Sequence, residues 1–122
     1  MNNHDFHPTA YVRKLTVYLN EDYCTKIDGF LRKVVYGISQ QGYPFLGHLK
    51  MAVIDSLGNV FYISVVDQET GCQFQGELTI IDKPVDIKIN AILYGVDKNI
   101  LQKIIENELE SIFSKQEVFY GN

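Results

Sequence analysis

The sequence predicts an α+β protein: a two-layer sandwich with a mainly antiparallel sheet of four to five strands and both helices on one face, in the order β-α-β-β-β-β-α. Three observations carry that expectation. Two segments space their apolar residues as helices do, several shorter ones alternate as strands do, and the two apolar helix stripes suffice to cover one side of a sheet.

The first strand begins near Tyr11, where Leu15, Val17 and Leu19 face one way and Lys14, Thr16 and Tyr18 the other. Asn20 is then placed to cap a helix, with Glu21 and Asp22 in its first turn. Tyr23, Ile27, Phe30, Leu31, Val34 and Ile38 form the apolar stripe of that helix, and Gly42 and Pro44 stop it. Gly29 and Gly37 lower its intrinsic propensity. Leu49, Met51 and Val53 alternate up to the turn DSLGN, where Gly58 and Asn59 suit positive φ, and Phe61, Ile63 and Val65 continue after it. A turn at Thr70 and Gly71 leads into a short strand from Cys72 to Leu78, with Pro84 closing the segment. The run VDIKINAILYG sets Val85, Ile87, Ile89, Ala91 and Leu93 on one side. Gly95 turns the chain, Asp97 caps, and Ile100, Leu101, Ile104, Ile105, Leu109, Ile112 and Phe113 make the second amphipathic helix.

A chain of 122 residues is expected to form one domain, here 10–114, between a flexible N-terminal tail at 1–9 and a C-terminal tail at 115–122. Hydrophobic residues at 46% and charged ones at 21% are a globular balance. With 15 acidic against 11 basic residues, and no basic run, a nucleic-acid partner is not expected. No apolar segment is long enough to cross a membrane as a helix, and the start MNNHDFHPTA has no secretory core, so a cytoplasmic location is expected.

Chemistry is sparse. His4, Asp5 and His7 in HDFH could hold a divalent ion weakly, but in a tail they lack the rigidity a metal site needs. Cys24 falls beside Ile27 and Leu31, which predicts core packing, and Cys72 has no basic sequence neighbour to activate it. Phosphate-binding glycine loops and a nucleophile elbow are missing. Catalysis is therefore not expected, no metal site is assigned, and no cofactor is specified.

The strand parities leave one sheet face without a helix. It should present Tyr18, His48, Lys50, Ile54, Tyr62, Ser64, Lys88, Asn90, Ile92 and Tyr94, a mixture of tyrosine, aliphatic and cationic side chains. A solvated face, a self-association or partner-protein surface, and a small-ligand or metal carrier using His48, Lys50, Lys88 and Asn90 all fit that composition. The expectation adopted is a non-enzymatic binding or assembly module, a homodimer or bound to a partner protein through this face.

Two segments resemble the C-terminal domain of CobW-type proteins. FLGHLKMAVID is similar to its strand entry, and INAILYGVDKNILQKIIENEL to its last strand, glycine turn and helix. Gly47, His48, Lys50, Gly95 and Asp97 align with that pattern, and the element order matches over residues 10–113. The resemblance implies an auxiliary domain for metal or cobalamin handling beside a GTPase. The phosphate loop and metal-binding cysteines of the GTPase half have no counterpart here, so GTP hydrolysis does not carry over.

Overall fold

The computed structural model describes residues 7–67, 71–78 and 83–113, together with the backbone of 118–119. The elements run β1 (Pro8–Val17), α1 (Tyr23–Gln40), β2 (Gly47–Ile54), β3 (Val60–Val65), β4 (Cys72–Gly76), β5 (Val85–Tyr94), α2 (Lys98–Ile112) and β6 (Val118–Phe119). They build an α+β sandwich, one antiparallel sheet in the order β4-β3-β2-β5-β1-β6 with two helices against it. Both β1 and β2 pair with β5 in antiparallel fashion, so they run parallel to each other with β5 between them. The β1-α1-β2 unit is thus a split βαβ whose gap is filled by a strand from late in the chain.

Parity decides the two faces. Leu15, Val17, Leu49, Met51, Val53, Phe61, Ile63, Val65, Ile87, Ile89 and Ala91 are all buried, and all point at the helices as their alternation predicts. From α1 the core receives Ile27, Phe30, Leu31, Val34, Val35 and Ile38, and from α2 Leu101, Ile105 and Leu109. The helices run antiparallel: Gly37 lies against Ile104, while the Lys26 ammonium sits 5.5 Å from the centre of the Phe113 ring. A Cβ on Gly37 would meet Ile104 Cγ2 at 3.1 Å, so glycine here sets how closely the helices approach.

Several boundaries differ from expectation. β1 begins at Pro8, because Pro8 and Thr9 pair with Tyr94 and Leu93, and strand therefore replaces the end of the expected N-terminal tail. Residues 1–6, including His4 and Asp5, lie outside the described residues. At the other end Val118 and Phe119 pair with Val17 and Thr16, which puts a strand inside the expected C-terminal tail. Asn20 does not cap α1. Its carbonyl accepts from Tyr23 N–H at 3.1 Å in a turn that uses up 20–22, and Asp22 becomes an N-cap residue without a side-chain bond. Glu21 and Asp22 consequently precede the first turn. Cys24 is exposed, since the buried stripe starts one helical turn later at Ile27.

Other signals are realised as expected. Asp97 accepts from Asn99 and Ile100 N–H at 3.1 and 3.3 Å and caps α2. Gly42 and Gly95 take positive φ after α1 and β5, and Gly58 does so in the β2–β3 turn. Asn59 keeps negative φ. It serves that turn instead by donating its N–H and side-chain amide to Asp55, at 2.9 and 3.3 Å. β4 stops at Gly76, short of the expected Leu78, and Leu78 turns inward to be buried.

Candidate functional site

Neither helix covers the outer side of the sheet. Reading its side chains by register gives two central rows. One runs Gln75, Tyr62, Ala52, Lys88, Lys14 from β4 to β1, and the next Gln73, Ser64, Lys50, Asn90, Val12. A third row holds Val60, Ile54, Asp86 and Thr16, a fourth His48, Ile92 and Ala10, and Tyr94 faces Pro8 beyond them. The structure brings nine of the ten expected residues onto this one face: His48, Lys50, Ile54, Tyr62, Ser64, Lys88, Asn90, Ile92 and Tyr94. Tyr18 follows the last residue of β1 and is exposed.

Register adds a residue that parity had already turned outward but that was left out of the set. Lys14 stands directly opposite Lys88 on the neighbouring strand, and Lys50 lies diagonally across from Lys88 through its pairing with Asn90. Like charges opposite one another in a sheet are destabilising, so this trio is a liability in the isolated domain. The carboxylate among the described outer-face residues is Asp86, which accepts from Thr16 Oγ1 at 2.8 Å. Around the lysines stand half-exposed apolar groups: Tyr62, Tyr94, Ile54 and Val12.

A shallow groove of about 360 Å³ lies on this face toward β4, lined by Lys50, Tyr62, Ser64, Gln73, Phe74 and Gln75. Of the four residues expected to surround a small ligand, Lys50 reaches it, whereas His48, Lys88 and Asn90 do not line it. Among the described residues no three His, Cys, Asp or Glu side chains come together as a metal-binding set.

Two polar clusters sit elsewhere. At the β1 edge, on the helix side, Glu106 of α2 accepts from the Tyr11 hydroxyl and from Arg13 Nε at 3.0 Å. Burial, reinforced by that carboxylate, pushes the Tyr11 hydroxyl up to about 12. At the other edge a smaller cavity, about 180 Å³, opens between α1 and β4 and includes Arg32 and Cys72 in its walls. Burial pushes the Cys72 thiol up to about 12, with Asp28 adding to the rise and Arg32 opposing it. The folded protein should therefore alkylate at Cys24 and not at Cys72 when treated with iodoacetamide at neutral pH, as peptide mass mapping would show.

Fold and face together define a class: a two-layer α+β module with an open-faced, basic-centred sheet. No family model matches the chain, and no curated protein sequence matches it. A solved structure to which it is similar is a Zn(II)-bound triple mutant of the YjiA GTPase, with TM-score 0.49 and 11% identity, over 82% of this chain and 29% of that one. The chain thus spans under a third of that protein's length, and a likeness so loose assigns neither family nor activity. Among the described residues no helix is long and apolar enough to cross a membrane.

Proposed function

We propose that the chain is a non-enzymatic binding module that docks an acidic surface of a partner protein on its bare sheet face. The observation behind this reading is the trio Lys14, Lys88 and Lys50, set side by side on a chain whose net charge is −4. An acidic partner relieves the repulsion within the trio, and the exposed Tyr62, Tyr94 and Ile54 supply apolar area around it. In the setting implied by the CobW-type resemblance of residues 45–55 and 89–109, that partner is a metal- or cobalamin-handling protein. Self-association through the same face is the second reading, favoured by those apolar side chains but opposed by the lysines if the centres meet.

Titrating the isotope-labelled protein with poly-L-glutamate at low salt tests the main reading. Amide shifts should move at the outward positions of β1, β2 and β5, and fade as salt is raised. The triple variant K14E/K50E/K88E, altered only at exposed side chains, should lose the response. Shifts confined to the helix side, or an unchanged response in the variant, would overturn the proposal. The small-ligand alternative is separated by thermal melts with cobalt, nickel, zinc and corrinoids, where a ligand at a hundred times its Kd adds about 2.7 kcal/mol.

A further inference from the structure

The bare face carries one more basic side chain beside the lysines. Lys14, Lys88 and Lys50 step from β1 through β5 to β2, and the next outward residue of β2 along that line is His48, half-buried and opposite Ile92. Residues two apart on a strand are about 7 Å apart and project from the same side, so His48 and Lys50 are neighbours. We infer that an acidic partner docking on this face draws a proton onto His48, so that the contact tightens as the pH falls through neutrality. The inference rests on the docking reading given above and adds its regulation.

The surroundings of His48 decide the sign. On its own strand it has Lys50 on one side and Leu46 on the other, where the Leu46 carbonyl accepts from Tyr94 N–H at 2.8 Å. From β5 it meets Ile92 directly and Asn90 and Tyr94 diagonally, and from β3 it meets Ser64 diagonally. Asp67, past the end of β3, lines the cavity beside α1 instead. Asp86 pairs with Ile54, six residues along β2 and about 20 Å away. Among the described residues of the row of His48 and the rows beside it, Lys50 is therefore the charged group, and no carboxylate offers an imidazolium its counter-charge. A partner carboxylate laid over Lys50 supplies one, and an opposite charge within about 4–6 Å favours the protonated ring. Leu46 and Ile92 form an apolar rim that a docked surface dries, which strengthens the pairing.

Histidine is the side chain that ordinarily changes charge between about pH 5 and 8, whereas lysine stays charged throughout. The lysine trio thus carries the docking and His48 its response to pH. By linkage, a proton taken up on binding lowers Kd as pH falls, and the gain disappears toward alkaline pH, where the ring is neutral in both states.

Poly-L-glutamate, ionised over this range, serves as the probe. At constant low salt its Kd for the full chain should fall roughly fivefold from about pH 8 to about pH 6, the effect of one added charge pair at a wet surface. His48→Gln should keep the weaker affinity throughout and His48→Lys the tighter one, both with flat pH profiles. The double variant H4Q/H7Q, which removes the other two of the three histidines, should keep the full response. Calorimetry near neutrality in phosphate and in Tris adds a direct readout: the binding heats should differ by the buffers' ionisation enthalpies for the wild type and agree for H48Q. A Kd that ignores pH, a response retained in H48Q, or one abolished in H4Q/H7Q would each overturn the inference while the docking reading stands. No binding at any pH would overturn both.

Discussion

Gly47→Ala is expected to destabilise the fold by about 3 kcal/mol or more, read as a lower urea midpoint at unchanged slope. Gly47 opens β2 at φ 133°, a conformation that residues with a Cβ rarely adopt. A Cβ there would lie 2.0 Å from the Ile92 carbonyl oxygen and 2.9 Å from Leu93 Cα, both backbone atoms of the central strand. Relief would require β2 and β5 to part where Gly47 pairs with Leu93. The helical Gly29 is the matched control. Nothing lies within 4 Å of a Cβ built on it, so Gly29→Ala should stabilise by about 0.5–1 kcal/mol through helix propensity. Loss at both positions would show that the strain argued for Gly47 is not what sets the difference. Gly47 also belongs to the pattern that resembles CobW-type domains, and its geometry accounts for glycine there through strand pairing alone.

Asp55→Ala should remove about 2–4 kcal/mol, the second large effect. Asp55 is 5% exposed, the buried charged residue among those described. Its carboxylate accepts from Leu57 N–H at 3.0 Å, Asn59 N–H at 2.9 Å and the Asn59 side chain at 3.3 Å. Its backbone closes the same turn, the N–H donating to Asn59 O and the carbonyl accepting from Gly58 N–H, each at 3.0 Å. Asp55→Asn keeps an acceptor oxygen but puts a donor amide among donors, so it should fall between wild type and alanine. Equal urea midpoints for all three proteins would sink this account. Because the turn joins β2 to β3, its loosening should also broaden NMR signals from Tyr62 and Ser64 on the bare face.

Local patterning was legible because period two and period 3.6 are properties of neighbours. Each inward strand residue named from alternation, from Leu15 to Ala91, is buried, and Asp97 caps as its position before Ile100 and Leu101 suggested. The outward set followed by the same parity, which is why nine of its members share one side. Strand order was not legible, since alternation says which way a side chain points and nothing about which strand lies beside it. The Lys14–Lys88 opposition depends on β1 lying next to β5, a pairing between residues more than seventy positions apart. Asn20 misled for a local reason: a turn closed by its own carbonyl served the Tyr23 N–H that a side-chain cap would have claimed. The sequence places Asp55 at the start of the DSLGN turn and carries no sign that it is buried. Its burial is a tertiary fact, with the acceptor role shared among three donors of its own loop.

The placement of β5 bears on how the molecule comes into being. Until Tyr94 has left the ribosome, β1 and β2 have no neighbour to bridge them, although α1 already links the two. Any nascent chain that stops short of β5 therefore holds a first strand and a β2–β3–β4 segment that lack their shared central neighbour. Closure of long loops slows such a fold and lengthens the time in which nascent chains can stick to one another. A stop codon placed before Val85 would remove the strand with which both β1 and β2 pair, and the product should be cleaved by proteases faster than the full chain.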